Sequence, residues 1–108
     1  MAFDEELAAR VRDSLDGLDI VDRKMFGGIA FMLSGNMCVG VSGEELMVRL
    51  DPSQFDDALA VDGVREFDMT GQRMRGWVLV GSDVLAPDEG LSGWVERGAE
   101  FAATLPPK

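Results

Sequence analysis

Arg23 and Lys24 lead into Gly27-Gly28, Arg49 stands near the end of an apolar run, and Arg73 and Arg75 precede Trp77. The chemistry open to these cations is recognition of carboxylate or phosphate through charge-assisted hydrogen bonds. Lys24, Gly27, Gly28, Arg49, Arg73 and Arg75 are therefore the candidate residues for contact with a partner or an anion. Pairing of the cations with nearby surface acids is the plainer alternative and carries the greater weight. A Gly pair can cradle phosphate, but only between a strand and a helix. The residues after Gly28 are strand-like, so the pair reads as a bend or bulge.

Other reactive chemistry is scarce. The chain has one cysteine, Cys38, and no histidine, which excludes a Cys–His dyad, a Ser–His triad and any His-based zinc site. Cys38 lies in an apolar stretch and reads as a small core residue. Trp77, also in an apolar run, reads as core. Six methionines (Met25, Met32, Met37, Met47, Met69 and Met74) fall near the segments that carry the cations. Methionine fills irregular cores and adaptable binding surfaces, and core is the favoured reading. Asp56-Asp57 and Asp88-Glu89 are adjacent carboxylates, a poor metal pair on a helix. No catalytic residue, cofactor or metal ligand is assigned, and the expectation is a non-enzymatic protein.

The 108 residues carry 20 Asp and Glu against 10 Lys and Arg, a net charge of −10. Such a field repels nucleic-acid backbones, so direct DNA binding is disfavoured. The acidic start Met1-Ala2-Phe3-Asp4-Glu5-Glu6 is unlike a signal peptide, and no apolar run approaches the ~20 residues that span a bilayer. A cytoplasmic protein without membrane association is expected, folded as one domain over 1–108.

These residues must be positioned by elements that the spacing predicts. Phe3, Leu7, Val11 and Leu15 recur every four residues, with Ala8 widening the stripe, Asp4 as N-cap and Gly17 as the stop. Strands are predicted for 19–25, 29–33, 37–41 and 46–50. Asp51-Pro52 opens a helix carrying Phe55 and Leu59, and Asp62-Gly63 is a turn. Val64–Met69 is a weak edge strand, 70–75 a loop and 76–81 a buried strand. Pro87-Asp88-Glu89 opens a last helix with the stripe Leu91, Trp94, Val95, Gly98, Phe101, Ala102 and Leu105.

The turn between the second and third strands has two solutions. A two-residue loop suits the tight hairpin turns. A three-residue loop pairs Leu33 with Met37, Phe31 with Val39 and Ile29 with Val41, which collects the large side chains on one face. Ala30, Met32, Cys38 and Gly40 then form a smaller face that a helix could approach closely. A slip of one residue flips every side chain. The fold expected is α+β, with five or six antiparallel strands in the order α-β-β-β-β-α-β-β-α and helices packed on the sheet.

Lys24–Phe31, Gly35-Asn36-Met37, Leu46-Met47-Val48-Arg49 and Met69–Val78, in that order and spacing, resemble the N-terminal domain of the TfoX/Sxy family. The resemblance covers nearly the whole chain. It implies a fold similar to YjbR-like proteins and type III secretion chaperones. It also implies a role like that of competence regulators, which act as transcriptional coactivators through a protein partner. The full-length regulators carry a second domain, so a chain stopping at Lys108 is expected to be a stand-alone N-terminal domain. Two other readings stand beside this one: a small acidic chaperone-like homodimer, and a small-molecule or anion binder built on the candidate residues.

Overall fold

The computed structural model describes residues 4–25, 27–69 and 72–106, without the side chains of 25, 68, 69 and 72–75. The first helix, α1 (Glu5–Ser14), is opened by the Asp4 carboxylate, which accepts from the Glu6 and Leu7 amides. Glu5 and Glu6 sit where the helix dipole favours negative charge. Leu7, Ala8, Val11 and Leu15 are buried beneath it, while Phe3 lies outside the described residues. Strands β1 (Ile20–Met25), β2 (Gly28–Leu33), β3 (Asn36–Ser42) and β4 (Glu45–Arg49) follow as an antiparallel meander.

Asp51 then accepts from the amide and hydroxyl of Ser53, starting a 3-10 turn that runs into the short helix α2 (Phe55–Leu59). These hydrogen bonds, from the Ser53 amide first and its hydroxyl second, hold the Asp51 carboxyl below its usual range. Strands β5 (Val64–Met69) and β6 (Gln72–Val80) form a hairpin, and helices α3 (Ser82–Leu85) and α4 (Asp88–Ala103) finish the fold. The six strands lie in the order β1-β2-β3-β4-β6-β5, so β1 and the charged β5 are the edges.

Two differences from the sequence reading concern elements. The run 72–75, expected as loop, is strand: Asp68 pairs with Arg73 and Met69 with Gln72. Two arginines and a glutamine among these four residues hide the strand from an apolar-pattern reading, whereas backbone pairing needs no particular side chain. The single turn α3 carries too few residues to show a period, and only Leu85 of it is buried.

The hairpin register satisfies both demands read from the sequence. Leu33 pairs with Asn36 across a two-residue turn, while Phe31 pairs with Val39 and Ile29 with Val41. A β-bulge between Phe31 and Met32 absorbs the difference, leaving Cys38 as the extra residue of β3. Ser34 and Gly35 have φ of 52° and 84°, the left-handed pair of a tight hairpin turn. Met37 is thereby parted from Val39 and Val41 and paired with Met32. Cys38 enters the core, where its thiol donates to the Phe31 carbonyl at 3.3 Å.

One continuous core lies on one face of the sheet. Ile29, Phe31, Val39, Val41, Leu46, Val48, Val78 and Val80 face residues from all four helices, including Val11, Phe55, Leu85 and Val95. Helix α4 crosses this face closely: a Cβ on Gly98 would lie 2.5 Å from the Cys38 carbonyl oxygen and 2.7 Å from Val39. The helices thus cover the face with the large side chains, not the smaller one. Branched residues give them more apolar area to bury, and Gly98 supplies the close approach from the helix side. Arg10 fastens α1 to the α3–α4 corner, donating to the Leu85 carbonyl at 2.9 Å and to Asp88 at 3.0 Å. The helical layer is acidic; α4 alone holds Asp88, Glu89, Glu96 and Glu100 against Arg97.

Candidate functional site

The opposite face of the sheet carries no helix among the described residues. Strand alternation places Val21 and Arg23 there from β1, Ala30 and Met32 from β2, Met37 and Gly40 from β3, and Glu45, Met47 and Arg49 from β4. Leu79 and Trp77 join them from β6, and Arg65 from β5. Gly40 has no side chain to fill the centre, so the Met37 and Met47 methyls fold over it; each lies 2.7 Å from where a Cβ would stand. Ala30 and Gly40 are buried under this layer, while Met32, Met37 and Met47 remain half-buried and Val21 is 59 % exposed.

Aromatic and cationic groups gather towards one end of this face. Trp77 packs on Phe67 with ring centroids 6.4 Å apart. The Arg49 guanidinium carbon lies 5.5 Å from the Trp77 centroid and 5.6 Å from that of Phe101 on α4. Such stacking holds a guanidinium at a partly solvated site. Trp77, expected in the core, is half-buried here instead, because the pairing of Val48 with Val78 sends its neighbours Arg49 and Trp77 to the other side. The three methionines are likewise outside the helix-side core. An apolar composition identifies a buried strand but does not say which of its two faces has a cover.

The sequence candidates are dispersed. Lys24 is exposed on β1 and alternates to the helical face beside Ile29. Gly27, with φ of 76°, sits in the β1–β2 turn. Gly28 begins β2, where a Cβ would meet the Val41 carbonyl oxygen at 2.3 Å. The Gly pair is therefore a turn followed by a close strand crossing. Arg49 is on the other face and towards the other end of the sheet, so it and Lys24 form no common site. Arg73 and Arg75 belong to β6 by their backbones, and their side chains lie outside the described residues. Surface pairing engages other cations: Arg12 with Asp22 at 2.6 Å, Arg10 with Asp88, and Arg65 with Glu45. Arg65 and Val21 were not singled out in the sequence; their alternation with the methionine positions is the signal that would have found them.

No cluster of three metal-binding side chains occurs among the described residues. Burial pushes the Cys38 thiol up from its ordinary range, against smaller opposing contributions from backbone hydrogen bonds. What the site offers is a plate of soft apolar side chains with arginines at its margins. A family model, that of the TfoX N-terminal domain, matches residues 4–102. The chain belongs to the TfoX N-terminal domain family. The match runs from the cap of α1 to the end of α4 and so includes both faces of the sheet. No curated protein and no solved structure matches the chain. Among the described residues of this TfoX N-terminal domain, no helix is long and apolar enough to cross a membrane.

Proposed function

We propose that this TfoX N-terminal domain is a non-enzymatic protein-interaction domain of the cytoplasm, docking a partner through the helix-free face of its sheet. The observation that carries the reading is the layer of half-buried Met32, Met37 and Met47 over Gly40, beside Trp77. Methionine side chains repack around different shapes at low cost, which suits a surface that must be wetted when free and dry when occupied. The family supports a role in transcriptional regulation, exerted through that partner in the manner of the competence coactivators. A net charge of −10 favours contact with protein over contact with DNA.

The test is quantitative affinity purification from the native cell extract with three baits: wild type, Met37→Glu/Met47→Glu, and Glu96→Lys on the helical side. A component of the transcription apparatus retained by wild type and by Glu96→Lys, but reduced at least tenfold with the methionine variant, is expected. Equal retention by all three baits contradicts the reading. Tight, sequence-specific binding of the isolated protein to DNA at physiological salt contradicts its protein-mediated character.

A further inference from the structure

The docking face differs in charge from the rest of the molecule. Its charged residues, among those described, are Arg23, Arg49, Arg65 and Glu45; Arg65 and Glu45 pair with each other, so a partner carboxylate reaching Arg65 shares it with Glu45 and the net excess on the face is cationic. A cationic margin on a chain of net charge −10 is opposite in sign to the helical layer on the other side. Arg23 lies on edge strand β1 and Arg65 on edge strand β5, so the two arginines bracket the methionines across the full width of the sheet.

The dimensions limit the occupant. Six strands spaced about 4.8 Å apart span about 24 Å, and the shared rows run about 17 Å along the strands. That is about 400 Å² in plan, half the roughly 800 Å² per partner of a standard stable interface. A face of that plan matches the footprint of one element more closely than that of a whole second subunit. A helix laid across the strands from Arg23 to Arg65 would need about 16 residues at about 1.5 Å each. Helix on sheet is also how the opposite face is covered, the 16-residue α4 being the longest of its four helices.

We infer that the occupant of this face is an acidic amphipathic helix of a partner protein, with an apolar stripe on Met32, Met37, Met47 and Leu79 and carboxylates near its ends meeting Arg23 and Arg65. The inference rests on the docking role given to the face above and adds the chemistry of the partner. Arg49, already stacked on two rings, stands at the margin as a third cation towards the Trp77 end. Salt weakens the contact, because exposed arginines supply its selectivity.

The experiment is a displayed library of peptides of about 16 residues, each with a fixed leucine stripe and flanking positions free to be Glu, Gln or Lys. It is selected on the wild-type protein and counter-selected on Met37→Glu/Met47→Glu. Survivors rich in Glu are expected, with binding weakened about tenfold in Arg23→Glu/Arg65→Glu. Both arginines are exposed, so that variant keeps its fold even where the methionine variant does not. Circular dichroism checks each protein. Survivors rich in Lys or Gln that still depend on the methionines overturn the acidic partner and leave the docking face standing. No survivors, or survivors indifferent to the methionine change, overturn both. A dimer by sedimentation that Met37→Glu/Met47→Glu abolishes makes a second copy the occupant and overturns the inference. Binding of a single-stranded oligonucleotide that quenches Trp77 does the same in favour of nucleic acid.

Discussion

Single residues decide which way each strand turns its side chains. Cys38, the additional residue of the β2–β3 bulge, lets a tight turn coexist with the pairing of Phe31 and Val39. The sequence showed the two demands separately, as turn chemistry and as side-chain sorting. It did not show their reconciliation, because a bulge leaves no composition signal when the inserted residue is itself apolar. Ser34 bears the cost, a non-glycine residue at φ 52°. Ser34→Asn, which tolerates that conformation better, is expected to raise stability by about 0.5 kcal/mol in denaturant unfolding. Cys38 is fully buried with its thiol pKa raised. Native protein at pH 8 should therefore resist alkylation that proceeds readily in denaturant. The linkage has a definite sign. The native thiol keeps its proton above the pH at which the unfolded one ionises, so this group's contribution to stability is full below the ordinary thiol range, about 8.5, and is lost as pH rises above it.

At the scale of elements, the helices were legible where period and capping agreed. Asp4, Asp51 and most of the α4 stripe appear as the sequence indicates, although Phe101 is half-buried and Leu105 lies past the end of the helix. The assignment of sheet faces was not legible. Alternation in β2 and β3 distinguishes a branched face from a smaller one, yet either could receive the helices. Gly98 decides it, since it brings α4 against the Cys38 and Val39 backbone. Gly98→Ala is expected to destabilise by about 2 kcal/mol, because the colliding atoms include backbone that cannot rotate away. Gly93, on the same helix, is exposed, and a Cβ there would meet nothing within 4 Å. Gly93→Ala is expected to stabilise by about 0.5–1 kcal/mol. Thermal or urea unfolding of the two variants side by side checks both signs. Arg10→Ala, which unfastens α1 from the α3–α4 corner, should cost about 1 kcal/mol in the same measurement.

At the scale of the molecule, two layers of opposite character share one sheet. The helical side is acidic and fully packed; the other is soft, apolar and edged by arginines. The sequence displayed the cations and methionines and their concentration near the family segments, but not that pairing would divide them. Lys24 alternates to the helical side and Arg23 to the open one, a distinction that only strand register makes. The stacking of Arg49 on both Trp77 and Phe101 ties the open face to the end of α4. Occupancy of the face is thus expected to reduce hydrogen exchange in the last turn of α4 as well as in β4 and β6.

A partner docked on the open face of this TfoX N-terminal domain would lie within reach of Met37 and Met47. The most direct measurement is photo-cross-linking in the native cell, with a benzophenone amino acid placed in turn at positions 37 and 47 on the open face and at 9 and 96 on the helical side. Positions 37 and 47 are expected to yield the same heterologous adduct, and positions 9 and 96 none of it. Adducts formed from 9 or 96, with none from 37 and 47, would contradict docking on the open face.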